Sequence, residues 1–282
     1  MNLDTSYPKK DVTSETESSI VTQGDKETVG YRIPTEIIDL PSRGLLYPKD
    51  SPLHSGTVEI KYMTAKEEDI LTTESYIKKG IVIDKFLESL IVTEGIRLDD
   101  LLVGDIDAIT VAARIFGYGS EYDVHIETPS GKKQREIIDL SEISLKYLDD
   151  QFVDTVGLNE FKYELPSSKV NITFKMLKQL DQKKLQEDIE KNKKIFNGLS
   201  KISSTQLKHY ILSVDGNYDA KYVRDFVDKN VLASDARALR KYIEEVQPGI
   251  NLSVEVADKE TGETFRINAP IGVQFFWPDV KS

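Results

Sequence analysis

The groups in this chain whose types and spacing bear on catalysis are few. His54, His125 and His209 are its only histidines, and they fall in three different segments. None makes an HxH or HExxH spacing, so the imidazoles do not form a zinc ligand set. Asp123-Val124-His125 places a carboxylate and an imidazole on one strand face, but no activated serine completes a triad. Asp99-Asp100 and Asp149-Asp150 are the pairs that metal-ion or two-carboxylate chemistry would use. In a chain this acidic they read as solvated surface. Gly117-Tyr118-Gly119 lacks the third glycine and the lysine of a phosphate loop, and it follows a helical pattern, so it reads as a helix stop. There is no cysteine, which excludes disulfides and thiolate chemistry and fits a reducing compartment. These residues predict no enzyme, no catalytic residues, no metal, no cofactor and no small-molecule substrate.

Charge narrows the partners. Forty-eight acidic residues against 37 basic ones give a net charge of −11, a field that repels nucleic acid and anionic membranes alike. The basic cluster Lys191–Lys194 is broken up by Glu187, Asp188 and Glu190 and reads as a solvated helix face. No apolar run approaches the ~18 residues of a membrane span, and the polar N-terminus has no apolar signal core. Protein partners remain. The run Gly272-Val273-Gln274-Phe275-Phe276-Trp277-Pro278-Asp279 places the only tryptophan beside two phenylalanines near the chain end. Burying such a cluster contributes roughly 1.5–3 kcal/mol per side chain. It is therefore expected to dock, either into its own fold or, as interface centres favour, into a partner.

The elements that position these residues follow from periodicity. Residues 1–30 carry few large apolar groups and read as a disordered or partner-ordered arm. Leu40–Pro48 is an extended, proline-punctuated turn. Val58, Ile60 and Tyr62 alternate as a strand, and Thr64 with Glu67 is a capping box opening a helix at Ala65. Helices are predicted over about Ile83–Val92 and Asp105–Phe116, then a hairpin through Val124, Ile126, Ile137 and Ile138. The second half repeats this order. Val170–Phe174 echoes Val58–Tyr62, a long charged helix covers about Leu177–Phe196, and Ser234–Leu239 echoes Ile106–Val111. A second hairpin pairs Ser253–Val256 with Phe265–Asn268. Asp107 precedes Val124 by 17 residues and Asp235 precedes Val254 by 19. The order points to an internal duplication, with chance similarity of short amphipathic patterns as the alternative. The expected fold is α+β: two related lobes, residues 31–155 and 156–282, of helices with small antiparallel β-hairpins.

Several segments resemble the baseplate hub and hub-assembly proteins of T-even-type contractile-tailed bacteriophages. They are Leu40–Pro48, Met63–Leu71, Ala112–Gly119, Ser234–Arg240 and Phe275–Pro278. The resemblance implies a non-enzymatic structural component or assembly factor of the central baseplate hub, bound to other tail proteins. It would be found in the virion tail or, during assembly, in the host cytoplasm. One alternative is a transient tail-assembly chaperone absent from the mature virion. The least favoured is a cell-envelope hydrolase, which would need a buried glutamate such as Glu88 or Glu94. Many members of this family carry Cys-Pro-x-Cys-type pairs at the two hairpins, which look like zinc ribbons. Here the hairpins have Thr128-Pro129-Ser130-Gly131 and Asp258-Lys259-Glu260-Thr261-Gly262. Metal binding is therefore not carried over, and the turns must be held by pairing and packing. Leu45, Leu46, Tyr47, Phe275, Phe276 and Trp277 are the expected partner-binding anchors, unless both segments close the chain's own core.

Overall fold

In the computed structural model, which describes residues 32–195, 201–271 and 273–276, the Val58–Tyr62 alternation becomes part of an antiparallel pair. Strand β1 (Thr35–Asp39) runs beside β2 (Thr57–Lys61), and Ile38 opposes Val58 with both buried. Helices α1 (Ala65–Thr72), α2 (Glu74–Lys78) and α3 (Val82–Leu90) follow. The Glu67 carboxylate accepts the Thr64 N–H at 2.9 Å, so the predicted cap opens α1 where expected. Helix α4 (Val103–Tyr118) is covered on nearly every side, with eleven of its sixteen residues buried. It is the central rod of the fold rather than a half-exposed amphipath. Gly119 ends it at φ +84°, a conformation that favours glycine.

The first hairpin, β3 (Glu121–Glu127) with β4 (Lys133–Asp139), leads to the short strand β5 (Ser144–Lys146). Beyond it, β6 (Phe161–Glu164), β7 (Asn171–Phe174) and β8 (Ile211–Val214) form a three-stranded antiparallel sheet. Between β7 and β8 lie α5 (Gln179–Ile195) and α6 (Ile202–Tyr210). Helices α7 (Ala220–Lys229) and α8 (Ala233–Val246), strand β9 (Gly249–Asn251) and the hairpin β10 (Ser253–Ala257) with β11 (Thr264–Asn268) complete the order. The protein is thus α+β, with small antiparallel sheets and no cysteine. The N-terminal arm, the Phe196 end of the charged helix, and Trp277 lie outside the described residues.

The same local contacts occur in both halves. Lys61 Nζ meets Glu67 at 2.8 Å, and Lys175 Nζ meets Asp181 at 2.7 Å; each carboxylate also accepts the N–H three residues before it. In Leu40-Pro41-Ser42 the Ser42 N–H donates to Asp105 at 2.9 Å, and in Leu165-Pro166-Ser167 the Ser167 N–H donates to Asp235 at 2.7 Å. Asp105 and Asp235 hold the same place in the first turns of α4 and α8. These contacts shift the register read from sequence by two residues. Matched on these contacts, Val58 aligns with Ile172 and Asp235 with Asp105, whereas the sequence patterns align Val58 with Val170 and Asp235 with Asp107. In this register the step from aspartate to hairpin valine is 19 residues in both halves.

Nearly all the buried apolar residues of the chain belong to one cluster running from Ile38 to Phe276, with Leu177 and Leu185 outside it. The halves also share backbone. Strand β5 pairs with β9, Ser144 opposite Asn251, and the Gly157 N–H reaches the Leu45 carbonyl at 2.8 Å. A methyl group on Gly104 would lie 2.1 Å from the Pro248 carbonyl oxygen, so glycine sets how closely α4 approaches β9.

Candidate functional site

The Leu40–Pro48 segment folds into successive turns because Arg43 and Gly44 both take positive φ and permit a sharp reversal. Gly44 sits at φ +75°, and a Cβ there would come within 2.4 Å of the His54 carbonyl. The reversal drives Leu46 and Tyr47 inward, to 2% and 1% exposure, while Leu45 stays half-buried. The Tyr47 hydroxyl donates to Asp105 Oδ2 at 2.6 Å and accepts the Leu102 N–H at 2.8 Å. The Ser42 hydroxyl donates to the same Asp105 oxygen at 2.7 Å. Burial pushes the Asp105 carboxyl up to about 6, outweighing the Tyr47 and Ser42 donors that oppose it. Burial beside Asp105 also raises the Tyr47 phenol well above its ordinary value.

The C-terminal aromatics dock on the same helix nearer its other end. Phe276 packs on Phe86 with ring centroids 4.5 Å apart, and Phe275 meets Tyr122 edge-on at 4.9 Å; both phenylalanines are fully buried. Arg114 holds this segment. Its guanidinium donates to the carbonyls of Phe275 at 2.8 Å, Gly119 at 2.6 Å and Glu121 at 2.8 Å, and it lies over the Tyr118 ring. Asp105 and Arg114 are nine residues apart, about 13 Å along the axis. The two segments expected as anchors therefore do not form one patch. As placed, Leu46, Tyr47, Phe275 and Phe276 close the chain's own core, and their side chains show no surface to a partner. Trp277 lies outside the described residues.

The groups weighed for catalysis stay apart. His54 bonds the Tyr47 carbonyl, His209 meets Asp188, and His125 is exposed on β3. Asp123 engages Arg135 across the hairpin rather than His125. Asp100 pairs with Arg97, Asp99 with Lys183, Asp150 with Arg43, and Asp149 accepts the Gln151 N–H. Among the described residues no group of three or more His, Asp or Glu side chains is placed to hold a metal ion, and no helix is long and apolar enough to cross a membrane.

The tips of the two hairpins meet. Ser130 Oγ donates to Asp258 Oδ2 at 2.8 Å and exchanges a hydrogen bond with Thr128. Lys132 pairs with Glu260, and Lys259 with Glu136. The Glu260 N–H and the Ser130 hydroxyl hold the Asp258 carboxyl below its usual range. The turns are thus tied by polar contacts as well as by strand pairing.

Asp105, Arg114 and Asp258 were not singled out from the sequence. The repeated Leu-Pro-Ser with an aspartate early in the later helix is a signal that points to Asp105. Arg114, alone among Val111, Ala112, Ala113 and Ile115, marks a charge that must find partners inside. Asp258 carries no comparable signal. A family model described as T4 bacteriophage base plate protein matches residues 46–277 of the 282. No curated protein and no solved structure gives a match.

Proposed function

The chain belongs to the T4 bacteriophage base plate protein family, and we propose that it is a structural part of the central baseplate hub of a contractile tail, acting through contacts with other tail proteins. The extent of the family match carries this reading. It runs from Leu46 to Trp277 and so takes in α4, both hairpins, the Leu46–Pro48 end of the first core-sealing segment and Phe275–Phe276 of the second. Most of the fold, rather than one appended domain, is then the baseplate part. We read it as two related halves, residues 31–155 and 156–282, built on one core; the repeated Ser–Asp and Lys–carboxylate contacts support that reading. In it, the role of Leu45, Leu46, Tyr47, Phe275, Phe276 and Trp277 toward partners is largely indirect. Leu46, Tyr47, Phe275 and Phe276 fix two segments against α4, and the exposed surface around those segments meets neighbours. Mass spectrometry of purified intact particles, with copy number measured against a known baseplate protein, tests the proposal. Stoichiometric peptides from this chain are expected. Absence from particles, with abundance in infected cells, would overturn the hub role in favour of an assembly factor released before the tail is complete.

A further inference from the structure

The outer edges of β4 and β10 face each other across the seam between the two hairpins, and among the described residues neither strand has a second neighbour. The seam is closed at both ends. At the base, β5 pairs with β9. At the tip, Gln134 Nε2 donates to the Ala257 carbonyl at 2.7 Å and Gln134 Oε1 accepts the Lys259 N–H at 2.9 Å. Between these closures the strands part around a cleft of about 380 Å³, near the lower end of the ~300–1,000 Å³ range of ligand clefts.

The lining has a particular chemistry. Ile137, Val254 and Val256 supply apolar surface, and Ile137 is 61% exposed. Asp139, Glu142 and Glu255 supply carboxylates, and no lysine, arginine or histidine lines the cleft. Glu142 makes no ion pair or hydrogen bond among the described residues, and Glu255 has only Arg266 at 3.9 Å. Open strand edges, apolar walls and the exposed carboxylates of Glu142 and Glu255 together suit an extended chain that brings its own cations. Resting on the baseplate reading above, we infer that this cleft receives an extended basic segment of a neighbouring baseplate protein. Its main chain pairs with the bordering strand edges, its apolar side chains lie on Val254 and Val256, and its lysine or arginine heads meet Glu142 and Glu255.

The probe is an acetylated, amidated Lys-Val-Lys-Val-Lys peptide titrated into the full chain, followed by backbone amide NMR, with Glu-Val-Glu-Val-Glu as the control. Saturable shifts are expected at residues 137–144 and 251–256 with the lysine peptide and none there with the control. The double variant Glu142→Lys/Glu255→Lys should bind the lysine peptide at least tenfold more weakly while keeping its thermal midpoint, since its side chains rim the cleft. Shifts scattered over the acidic surface, an equal response to both peptides, or no saturable response would overturn the inference. So would a homodimer in sedimentation that the double variant dissolves, which would assign the cleft to a second copy. Particle mass spectrometry judges the hub role independently, so a cleft that fails beside stoichiometric incorporation refutes this inference alone.

Discussion

Asp105 and Arg114 carry opposite charges inside one helix, and each is stabilised by fixed dipoles instead of a counter-ion. For Asp105 the donors are the Ser42 N–H, the Ser42 hydroxyl and the Tyr47 hydroxyl. They do not offset full burial, and the carboxyl titrates near 6 instead of the ordinary ~3.9. Across roughly pH 4–6 the folded chain therefore holds a proton that the unfolded chain has released. Stability from this group is complete below about pH 4 and is lost as pH rises through about 6, a change of about 3 kcal/mol. Asp107, also raised to about 6 by burial, acts in the same sense. Glu67 and Asp258, held low, act in the opposite sense at more acid pH. Asp105→Asn should flatten the fall in urea midpoint between pH 4.5 and 6.5, leaving the smaller slope due to Asp107. At Arg114 the consequence is structural. Arg114→Met keeps the stem but leaves three carbonyls without donors, and hydrogen bonds to charged groups are worth about 1.5–3 kcal/mol each before non-additivity. A loss of about 3 kcal/mol or more is expected in urea denaturation. An unchanged midpoint would show that Arg114 does not pin the Phe275 segment.

Elements declared themselves in the sequence where one pattern dominated. The β2 alternation, the Thr64–Glu67 cap, the turn at Pro129–Gly131 and the charged face of α5 are local signals, and each matches an element. Helix α6 and strand β8 were not legible, because Ile202–Tyr210 is mostly polar and Ile211–Val214 becomes a strand only by pairing with β7. The docking of Phe275 and Phe276 was legible as a need for burial. Which surface would bury them was not, since that surface is assembled from Phe86, Arg114 and Tyr122, distant in sequence. The close approach of α4 to β9 is equally non-local. Gly104→Ala gains helix propensity of up to about 1 kcal/mol, but its methyl meets the Pro248 carbonyl, and such overpacking costs about 1–3 kcal/mol. Net destabilisation is expected, with faster hydrogen exchange at Ser144–Lys146 and Gly249–Asn251. Slower exchange there would show that the backbone yields without strain.

For the whole molecule, a duplicated order of elements was the expectation, and on the two-half reading proposed above the contacts favour a different register for it. Short amphipathic strings align almost equally well two residues apart, and only the Ser–Asp and Lys–carboxylate contacts decide between the alignments. Nor did the sequence show that the halves exchange structure. Residues 32–155 alone keep β5 without β9 and Arg114 without the Phe275 carbonyl. That fragment should show no cooperative thermal transition, and adding residues 156–282 should restore one; a sharp transition in the isolated fragment would make the halves independent domains. The β5–β9 pairing also bears on synthesis. β5 leaves the ribosome about a hundred residues before its partner, which at ~5–20 residues per second is a wait of roughly 5–20 s. Arg114 waits longer still, since the carbonyl it binds belongs to a residue 161 positions later. Closure of this fold thus waits until Phe275 has been made, and a nascent chain that stops short of it leaves its central helix open to proteases. Only polypeptides translated through that point gain a sealed interior.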